Sequence, residues 1–286
     1  MGVRTVLGTR LIRRLFSKRF FLARLTTFPV IGPLMEYMFF ENDDMILLPK
    51  DDIAFNATKK EATIEINAMV EPVETVLPSQ VVEYFVKKSR YIFLMNTCMC
   101  RVANHCKDYP KDMGCIFLGR GVLRIDPSMG SMVTQEEALE HLRRCREQGL
   151  VHLIGRNKID SVWLSTGPKE DLLSLCSCCP CCCLWKMIPD LSPEISSMVT
   201  MMPGLTINVD EGECKGCGSC EHSGVCYVNA IKVKENKATI DEALCKGCGR
   251  CIEVCPRNAI ALRIEDPSFM ESSIKRIEPL VDVSSD

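Results

Sequence analysis

Residues 245–256 read CKGCGRCIEVCP and carry four cysteines, the last of them directly before a proline. An earlier copy, CKGCGSC, occupies residues 214–220, so the motif returns after 31 residues. Between the two copies, residues 231–240 alternate apolar and polar side chains on either side of Glu235-Asn236. This alternation around a turn dipeptide is typical of a β-hairpin. The sequence therefore predicts a small unit in which one cysteine motif is built twice.

The two motifs resemble those of bacterial-type ferredoxins with two 4Fe-4S clusters, in which the cysteines run C-x2-C-x2-C-x3-C-P. The resemblance covers residues 207–264, about a fifth of the chain. It implies four thiolates for each cluster, with the fourth thiolate supplied by the other half of the domain. The implied ligands are Cys214, Cys217, Cys220 and Cys255 for one cluster, and Cys245, Cys248, Cys251 and Cys226 for the other.

The first copy departs from the ferredoxin pattern in its second half. Five residues separate Cys220 from Cys226 where three are usual, and Tyr227 takes the place of the proline. We expect a longer loop beside the second cluster, with all eight ligands retained. Two structural zinc sites are the alternative, but the third cysteine of each motif and the Cys255-Pro256 pair favour iron–sulfur clusters.

Ten further cysteines lie in the middle of the chain, in two groups. Four thiols within residues 98–115 could form one metal site by themselves. The six within residues 176–183 cannot all bind one metal, because neighbouring side chains of an extended chain point to opposite sides. We expect both groups to contribute to a further cluster and to leave some thiols over. The candidate ligands are Cys98, Cys100, Cys106, Cys115, Cys176, Cys178, Cys179, Cys181, Cys182 and Cys183.

The role of this middle region stays open at the level of sequence. Its cysteine layout is similar to uncharacterised iron–sulfur proteins of anaerobes, a resemblance that implies no known activity. Its paired cysteines also resemble the Cys-Cys-Gly domains of heterodisulfide reductases, but no glycine follows Cys179 or Cys183. An electron-transfer or structural cluster, a catalytic centre, zinc and free buried thiols are the alternatives. Because crowded thiolates oxidise to disulfides in air, we expect a reducing, anaerobic compartment.

The order of these features predicts an α+β protein, with a Cys-rich mixed α/β domain followed by a ferredoxin-like domain that holds two 4Fe-4S clusters. The chain has 286 residues, and its formal charge of −2 gives no reason to expect a nucleic-acid partner. The predicted divisions are a basic N-terminal extension (1–60), a Cys-rich domain (61–203), a dicluster ferredoxin domain (204–264) and a loosely held acidic tail (265–286).

Local patterns predict several elements of the middle region. Thr134 and Glu137 form a capping box for a helix that runs to Gln148 and ends at Gly149. Cys145 lies on the apolar side of this helix, which indicates a core thiol. Ser79 is expected to cap a second helix, which continues to about Ser89. The predicted strands are Tyr91–Met95, Val151–Ile154 and Ser161–Leu164.

The N-terminus is basic. Residues 1–25 carry Arg4, Arg10, Arg13, Arg14, Lys18, Arg19 and Arg24, and no acidic residue. These charges interrupt every apolar run through Arg24, so no signal peptide is expected. The apolar stretch Leu25–Tyr37 is short and broken by Pro29 and Pro33, so no membrane span is expected either. Three possibilities stay open: docking onto a partner subunit, lying on an anionic membrane with Phe16, Phe20, Phe21 and Leu22 as the apolar side, and a surface helix that makes neither contact. A cytoplasmic protein, held peripherally at the inner face of the membrane, fits the second.

Taken together, the motifs predict an iron–sulfur electron-transfer protein, or an electron-transfer subunit of an oxidoreductase, that works with redox partner proteins. The alternative is an anaerobic oxidoreductase, for example for disulfide reduction, with its active cluster in the Cys-rich domain. A non-catalytic role in redox sensing or cluster delivery is the third hypothesis. The sequence contains no convincing catalytic set and no complete phosphate-binding loop, so no catalytic residue is assigned.

Overall fold

The computed structural model describes residues 15–57 and 77–285. A seven-stranded sheet forms its centre. The strands are β1 (Asp44–Leu47), β2 (Ile92–Met95), β3 (Ile116–Leu118), β4 (Gly130–Met132), β5 (Val151–Arg156), β6 (Leu173–Cys178) and β7 (Val199–Met201). They lie in the order β4-β2-β3-β6-β5-β1-β7, and every neighbouring pair is antiparallel except β1 and β7.

Helices cover both the sheet and the C-terminal unit, so the mixed content agrees with the predicted α+β class. The α-helices are Arg19–Leu25, Ile31–Phe39, Ser79–Lys88, Met99–Ala103, Gln135–Glu147, Lys158–Leu164, Pro193–Ser196, Ser219–His222, Arg250–Glu253 and Phe269–Ile277, and residues 51–57 are also helical. The 3-10 turns are Arg120–Arg124, Pro127–Met129, Lys169–Asp171, Leu184–Asp190 and Glu278–Leu280. None of the helices formed by the described residues combines the length and hydropathy that crossing a bilayer requires.

The helix Gln135–Glu147 begins and ends as predicted. The Thr134 hydroxyl accepts a hydrogen bond from the Glu137 amide, and the Glu137 carboxylate accepts one from the Thr134 amide. Gly149 follows with a φ of 70°, a left-handed conformation that glycine adopts without strain. Cys145 is fully buried on the inner side of this helix, which confirms it as a core residue.

Two other local predictions differ from the structure. Residues 161–164 were predicted as a strand, but they lie in the helix Lys158–Leu164, because the Asn157 side chain caps that helix by accepting from the Ile159 amide. The helix Ser79–Lys88 forms as predicted, but Ser79 is not its cap. Its amide donates to Asp51 Oδ1 at 2.9 Å, so a carboxylate from a distant segment does the capping.

Both ends of the described chain belong to the folded core. β1 lies between β5 and β7, so residues 44–47 are an internal part of the sheet and not an extension of it. The predicted loosely held tail contains the helix Phe269–Ile277, whose side chains Phe269 and Ile277 are buried in the main core. Arg276 of this helix donates from Nε to Asp44 at 3.1 Å. The loosely held tail is therefore wrong, because its few apolar residues repeat at helical spacing and pack onto the sheet.

The C-terminal unit consists of two small antiparallel pairs. β9 (Ile231–Lys234) and β10 (Lys237–Ile240) form the predicted hairpin, with Glu235 and Asn236 both at positive φ in the turn. β8 (Leu205–Val209) pairs with β11 (Ile260–Ile264) and joins the beginning of the unit to its end. The residues between these strands carry the two cysteine motifs.

The packed C-terminal helix yields a stability prediction. Phe269 is 3% exposed, so Phe269→Ala should lower the free energy of unfolding by about 3–5 kcal/mol through lost burial and a residual cavity. Phe28 is 54% exposed, and Phe28→Ala should change that energy by less than about 0.5 kcal/mol. Anaerobic chemical denaturation measures both. Equal effects of the two substitutions would contradict the packing of this helix.

Candidate metal centres

The first cysteine motif and Cys255 share a pocket. Cys214, Cys217 and Cys220 line it together with Cys255, which comes from the end of the second motif. Gly216 and Gly218 stand at positive φ between the motif cysteines and turn the chain sharply there. A side chain at Gly216 would lie within 2.4 Å of the Asn236 carbonyl oxygen, so the hairpin turn packs directly on this loop. Cys217 is the exposed member of the four.

The second motif repeats this geometry around Cys226. Gly247 and Gly249 have positive φ like their counterparts in the first motif. Burial, and then the neighbouring thiols of Cys248 and Cys226, raise the pKa of Cys245 to about 11. Burial, and then the thiols of Cys248, Cys245, Cys226 and Cys220, raise the pKa of Cys251. Cys226 thus faces the second motif, and Cys220 and Cys251 lie where the two motifs meet.

Backbone amides point at the sulfur atoms, as a bound anionic cluster requires. The amides of Ala230 and Ala259 donate to Cys226 Sγ at 3.2 Å and to Cys255 Sγ at 3.3 Å, at equivalent places of the repeat. The amide of Ala238, on the hairpin, donates to Cys214 Sγ at 3.3 Å. Such hydrogen bonds favour the charged thiolate form. The structure brings together the two sets of four that the resemblance implies, and cluster binding by each set stays a prediction.

The ten middle cysteines separate into two sites that do not follow their grouping along the chain. The first site, here called the tight thiol group, has its four sulfur atoms within 4.8 Å of one another. Cys106 Sγ lies 3.6 Å from Cys181 Sγ, which lies 3.6 Å from Cys179 Sγ. The members of the tight thiol group are Cys106, Cys179, Cys181 and Cys182.

The other six middle cysteines face a cavity of about 240 Å³, here called the thiol cavity. Cys179 also reaches its wall, and helix Arg19–Leu25 and the turn Leu184–Asp190 contribute apolar side chains to it. β6 carries cysteines into this region and then turns, so adjacent residues reach different sites, with Cys178 in the cavity and Cys179 in the tight thiol group. The six cysteines are Cys98, Cys100, Cys115, Cys176, Cys178 and Cys183.

The thiols of the cavity interact with one another. Hydrogen bonds from Cys100 and Cys115 lower the pKa of Cys98, whereas the contact with Cys98, followed by burial, raises the pKa of Cys100. Cys183 Sγ and Cys178 Sγ are 3.4 Å apart. Thiols at such separations ionise readily only when positive charge or a metal is close to them.

Three buried arginines supply positive charge around these thiols. Arg101 is 0% exposed and donates to the carbonyl oxygens of Ser177, at 2.9 Å, and Met113. Burial alone would lower the pKa of Arg101, but the surrounding thiolates, beginning with that of Cys98, raise it above its usual value. Arg19 and Arg250 are also buried.

None of the three guanidinium groups has a carboxylate partner within the described part of the chain. Arg19 donates to Phe16 O and Asn104 Oδ1, and Arg250 donates to the carbonyl oxygens of Cys178 and Gly149. One nitrogen of each group is buried and finds no hydrogen-bond acceptor among the described residues. A buried cation of this kind costs several kcal/mol unless negative charge lies near it. The three buried guanidinium groups and the thiols around them therefore fit a thiolate-bound, anionic metal centre.

Sequence reasoning identified these arginines only in part. Arg101 directly follows Cys100, a position that suits either a partner for a thiolate-bound cluster or a solvated residue, and the structure buries it among the thiols. Arg19 was counted among the basic residues of the N-terminus and given no role of its own, but its guanidinium is buried and packs over Phe16 and Phe20. Arg250 was missed. A signal existed, since Arg250 and Ser219 mark the one position at which the CKGCG-x-C copies differ.

Comparison with protein families agrees with this chemistry. Residues 238–261 match the model of the 4Fe-4S binding domain, and the matched segment contains Cys245, Cys248, Cys251 and Cys255. Searches of curated proteins and of solved structures find no match to the chain. The chain is thus an iron–sulfur protein. It carries at least one 4Fe-4S cluster, in the segment of the second motif.

The buried charge of Arg101 yields a second prediction. Arg101→Met keeps the volume but removes the counter-charge, so the protein should lose iron bound in the middle region and unfold at a lower temperature. Arg101→Lys, which keeps the charge, should retain more iron than the methionine variant. Arg143→Met is the matched control, because Arg143 is an exposed partner of Glu140.

Iron analysis and thermal unfolding of anaerobically purified protein measure these effects. Unchanged iron and stability in Arg101→Met would contradict the role of Arg101 as a counter-ion.

Proposed function

We propose that the chain is an electron-transfer protein with three iron–sulfur centres. The two ferredoxin sets of cysteines hold one 4Fe-4S cluster each, and the thiol cavity holds a further cluster. The clusters supply one-electron redox chemistry. The observation that carries the proposal is a line of neighbouring cysteine sites, in which the two ferredoxin sets meet at Cys220 and Cys251 and the second set shares an apolar cluster with the thiol cavity.

The line begins at the surface with Cys217, the exposed member of the first set. It continues through Cys220 and Cys251, whose thiols interact where the two ferredoxin sets meet. A redox partner protein that docks over Cys217 would lie closest to the first cluster. The remaining cysteines are buried or partly buried, and limited access of water is one of the factors that set cluster potentials.

Tyr227 joins the second set to the thiol cavity. It follows Cys226 directly and packs, almost fully buried, in the same apolar cluster as Cys178 and Cys183. Burial, and then the thiols of Cys183, Cys248 and Cys178, raise its pKa far above the usual value, so the phenol stays neutral. The residue that replaces the usual proline of the ferredoxin pattern thus fills the space between two metal sites.

Arg250 makes a second connection between the same two sites. Its guanidinium donates to the Cys178 carbonyl oxygen at 2.7 Å, although Arg250 itself belongs to the second cysteine motif. The ferredoxin unit is thereby held against the end of β6, the strand that carries the cavity residues Cys176 and Cys178. A fixed short distance between centres is what electron transfer between them requires.

A second candidate function is favoured by the composition of the cavity. Four thiolates are sufficient for one cubane cluster, so two of the six cavity thiols are surplus. The surplus thiols are consistent with an oxidoreductase whose active cluster lies in the cavity. Its substrate would lie against the apolar wall formed by Leu22, Met35 and Trp185. A shift in the cavity cluster's EPR signal on addition of a disulfide would favour this function, and an unchanged signal would favour electron transfer alone.

Iron content tests the proposed cavity cluster. The native chain should contain about 12 iron and 12 labile sulfide per chain, and Cys98→Ser or Cys115→Ser should remove about four of each. The EPR signals of the two ferredoxin clusters should persist in both variants. Cys145→Ala is the matched control, because Cys145 is a buried cysteine that belongs to neither middle site. A native content of only about 8 iron per chain would show that the cavity holds no cluster, and full iron content in both serine variants would show that Cys98 and Cys115 are not its ligands.

We further propose that the N-terminal segment rests on an anionic membrane at the cytoplasmic face. Exposed apolar side chains cluster in the described part of this segment, and residues 1–14, which hold Arg4, Arg10, Arg13 and Arg14, directly precede it. Basic charge beside exposed apolar side chains is the composition of an interfacial anchor. The exposed side chains are Phe21, Phe28, Val30, Ile31, Leu34 and Tyr37.

Liposome binding tests this contact. A variant with Phe28→Ser and Val30→Ser should sediment several-fold less with phosphatidylglycerol vesicles than the native chain does. Leu123→Ser, which alters an equally exposed apolar residue elsewhere, should bind like the native chain. Native binding should weaken at high salt because the ions screen the basic residues. If the native chain does not bind the vesicles, this surface does not serve as a membrane anchor.

A further inference from the structure

We propose that the tight thiol group binds a single metal ion in tetrahedral coordination, with zinc as the ion that its geometry suits. The ligands are Cys106, Cys179, Cys181 and Cys182. This site is separate from the ferredoxin clusters and borders the thiol cavity, whose wall Cys179 reaches, and it serves to shape that wall.

The distances between the sulfur atoms carry this proposal. A Zn–S bond of about 2.3 Å in a regular tetrahedron places the sulfur atoms about 3.8 Å apart. Cys106 Sγ and Cys179 Sγ each lie 3.6 Å from Cys181 Sγ, and all four sulfur atoms lie within 4.8 Å of one another. In a cubane cluster each thiolate binds a different iron, so the four sulfur atoms stand further apart.

The ferredoxin sets provide a comparison within the same molecule. Among residues 15–57 and 77–285, the tight thiol group is the one group of metal-binding side chains found with all ligand atoms within 4.8 Å of one another. The cysteines of the two ferredoxin motifs, which have the spacing for cubane clusters, do not approach one another to this extent. The tight thiol group thus has the dimensions of a mononuclear site, and the ferredoxin sets do not.

The local backbone also has the form of a metal-binding loop. The amides of Asp108 and Tyr109, two and three residues after Cys106, donate hydrogen bonds to its sulfur. Three of the four ligands are buried and Cys181 is partly buried, so the four thiolates close the coordination sphere without an open position. A closed tetrathiolate sphere is typical of structural zinc and not of catalytic zinc. Arg101, whose guanidinium also contacts Cys179, offsets part of its negative charge.

The position of the site explains what the ion would do. Cys179 and Cys182 each have a direct neighbour, Cys178 and Cys183, that faces the thiol cavity. Asn104 strengthens the same link, since its side-chain amide donates to the carbonyl oxygens of both Cys100 and Cys182. An ion that joins Cys106 to the turn 179–182 therefore fixes the direction in which the cavity cysteines project.

Zinc analysis and zinc K-edge X-ray absorption of the anaerobically purified full chain test the proposal. We expect one zinc per chain, with four sulfur neighbours at about 2.3 Å and no metal neighbour. Cys181→Ser should lose the zinc, and Cys106→Ser should do the same, while the EPR signals of the ferredoxin clusters persist. Cys145→Ala should keep the zinc, although Cys145 packs in the same apolar cluster as the four ligands.

Three results would overturn the proposal. The first is a zinc stoichiometry that does not fall in Cys181→Ser or Cys106→Ser. The second is an absorption spectrum with a metal neighbour at the site, which would indicate a cluster. The third result concerns a chain that is purified without zinc. If such a chain does not take up one equivalent of zinc when it is titrated with zinc chloride alone, the proposal is wrong. Circular dichroism of the serine variants confirms that each has folded before its metal content is compared.

Discussion

Three guanidinium groups are buried without a carboxylate partner among residues 15–57 and 77–285, and the cysteine-rich half of the structure depends on this constraint. Arg19, Arg101 and Arg250 come from distant parts of the chain, and their buried charge is unfavourable by several kcal/mol unless negative charge compensates it. Thiolate sulfur is the anionic group that the fold places beside Arg101. Metal–thiolate centres and the fold are therefore expected to stabilise each other, and removal of metal should loosen all three segments together.

The end of β6 is where the thiol sites meet. Between Cys176 and Cys183 the chain leaves the sheet and turns, so that Cys176, Cys178 and Cys183 face the thiol cavity and Cys179, Cys181 and Cys182 belong to the tight thiol group. Arg250 donates to the carbonyl oxygen of Cys178 in this turn, and Tyr227 packs beside it. This one short segment thus supplies three of the six cavity cysteines, three of the four cysteines of the tight thiol group and a contact with the ferredoxin unit.

Local features could be predicted from the sequence because their causes lie within a few residues. The hairpin around Glu235-Asn236 and the capping box of Thr134 both form as predicted. The strand predicted at 161–164 failed because the cap at Asn157 outweighed the β-branched pattern. Which of the ten middle cysteines lie together could not be predicted, since that depends on how β6 packs against the helix Met99–Ala103, a contact between residues 76 positions apart.

Magnetic coupling between the centres tests the central claim most directly. In the proposed arrangement, the thiol cavity holds a cluster next to the second ferredoxin cluster, with Tyr227 between them. EPR of the anaerobic chain, recorded during stepwise reduction, should show a third spin system whose appearance broadens the signal of one ferredoxin cluster. A fully reduced spectrum of only two mutually coupled clusters, in protein with about 8 iron per chain, would contradict the account.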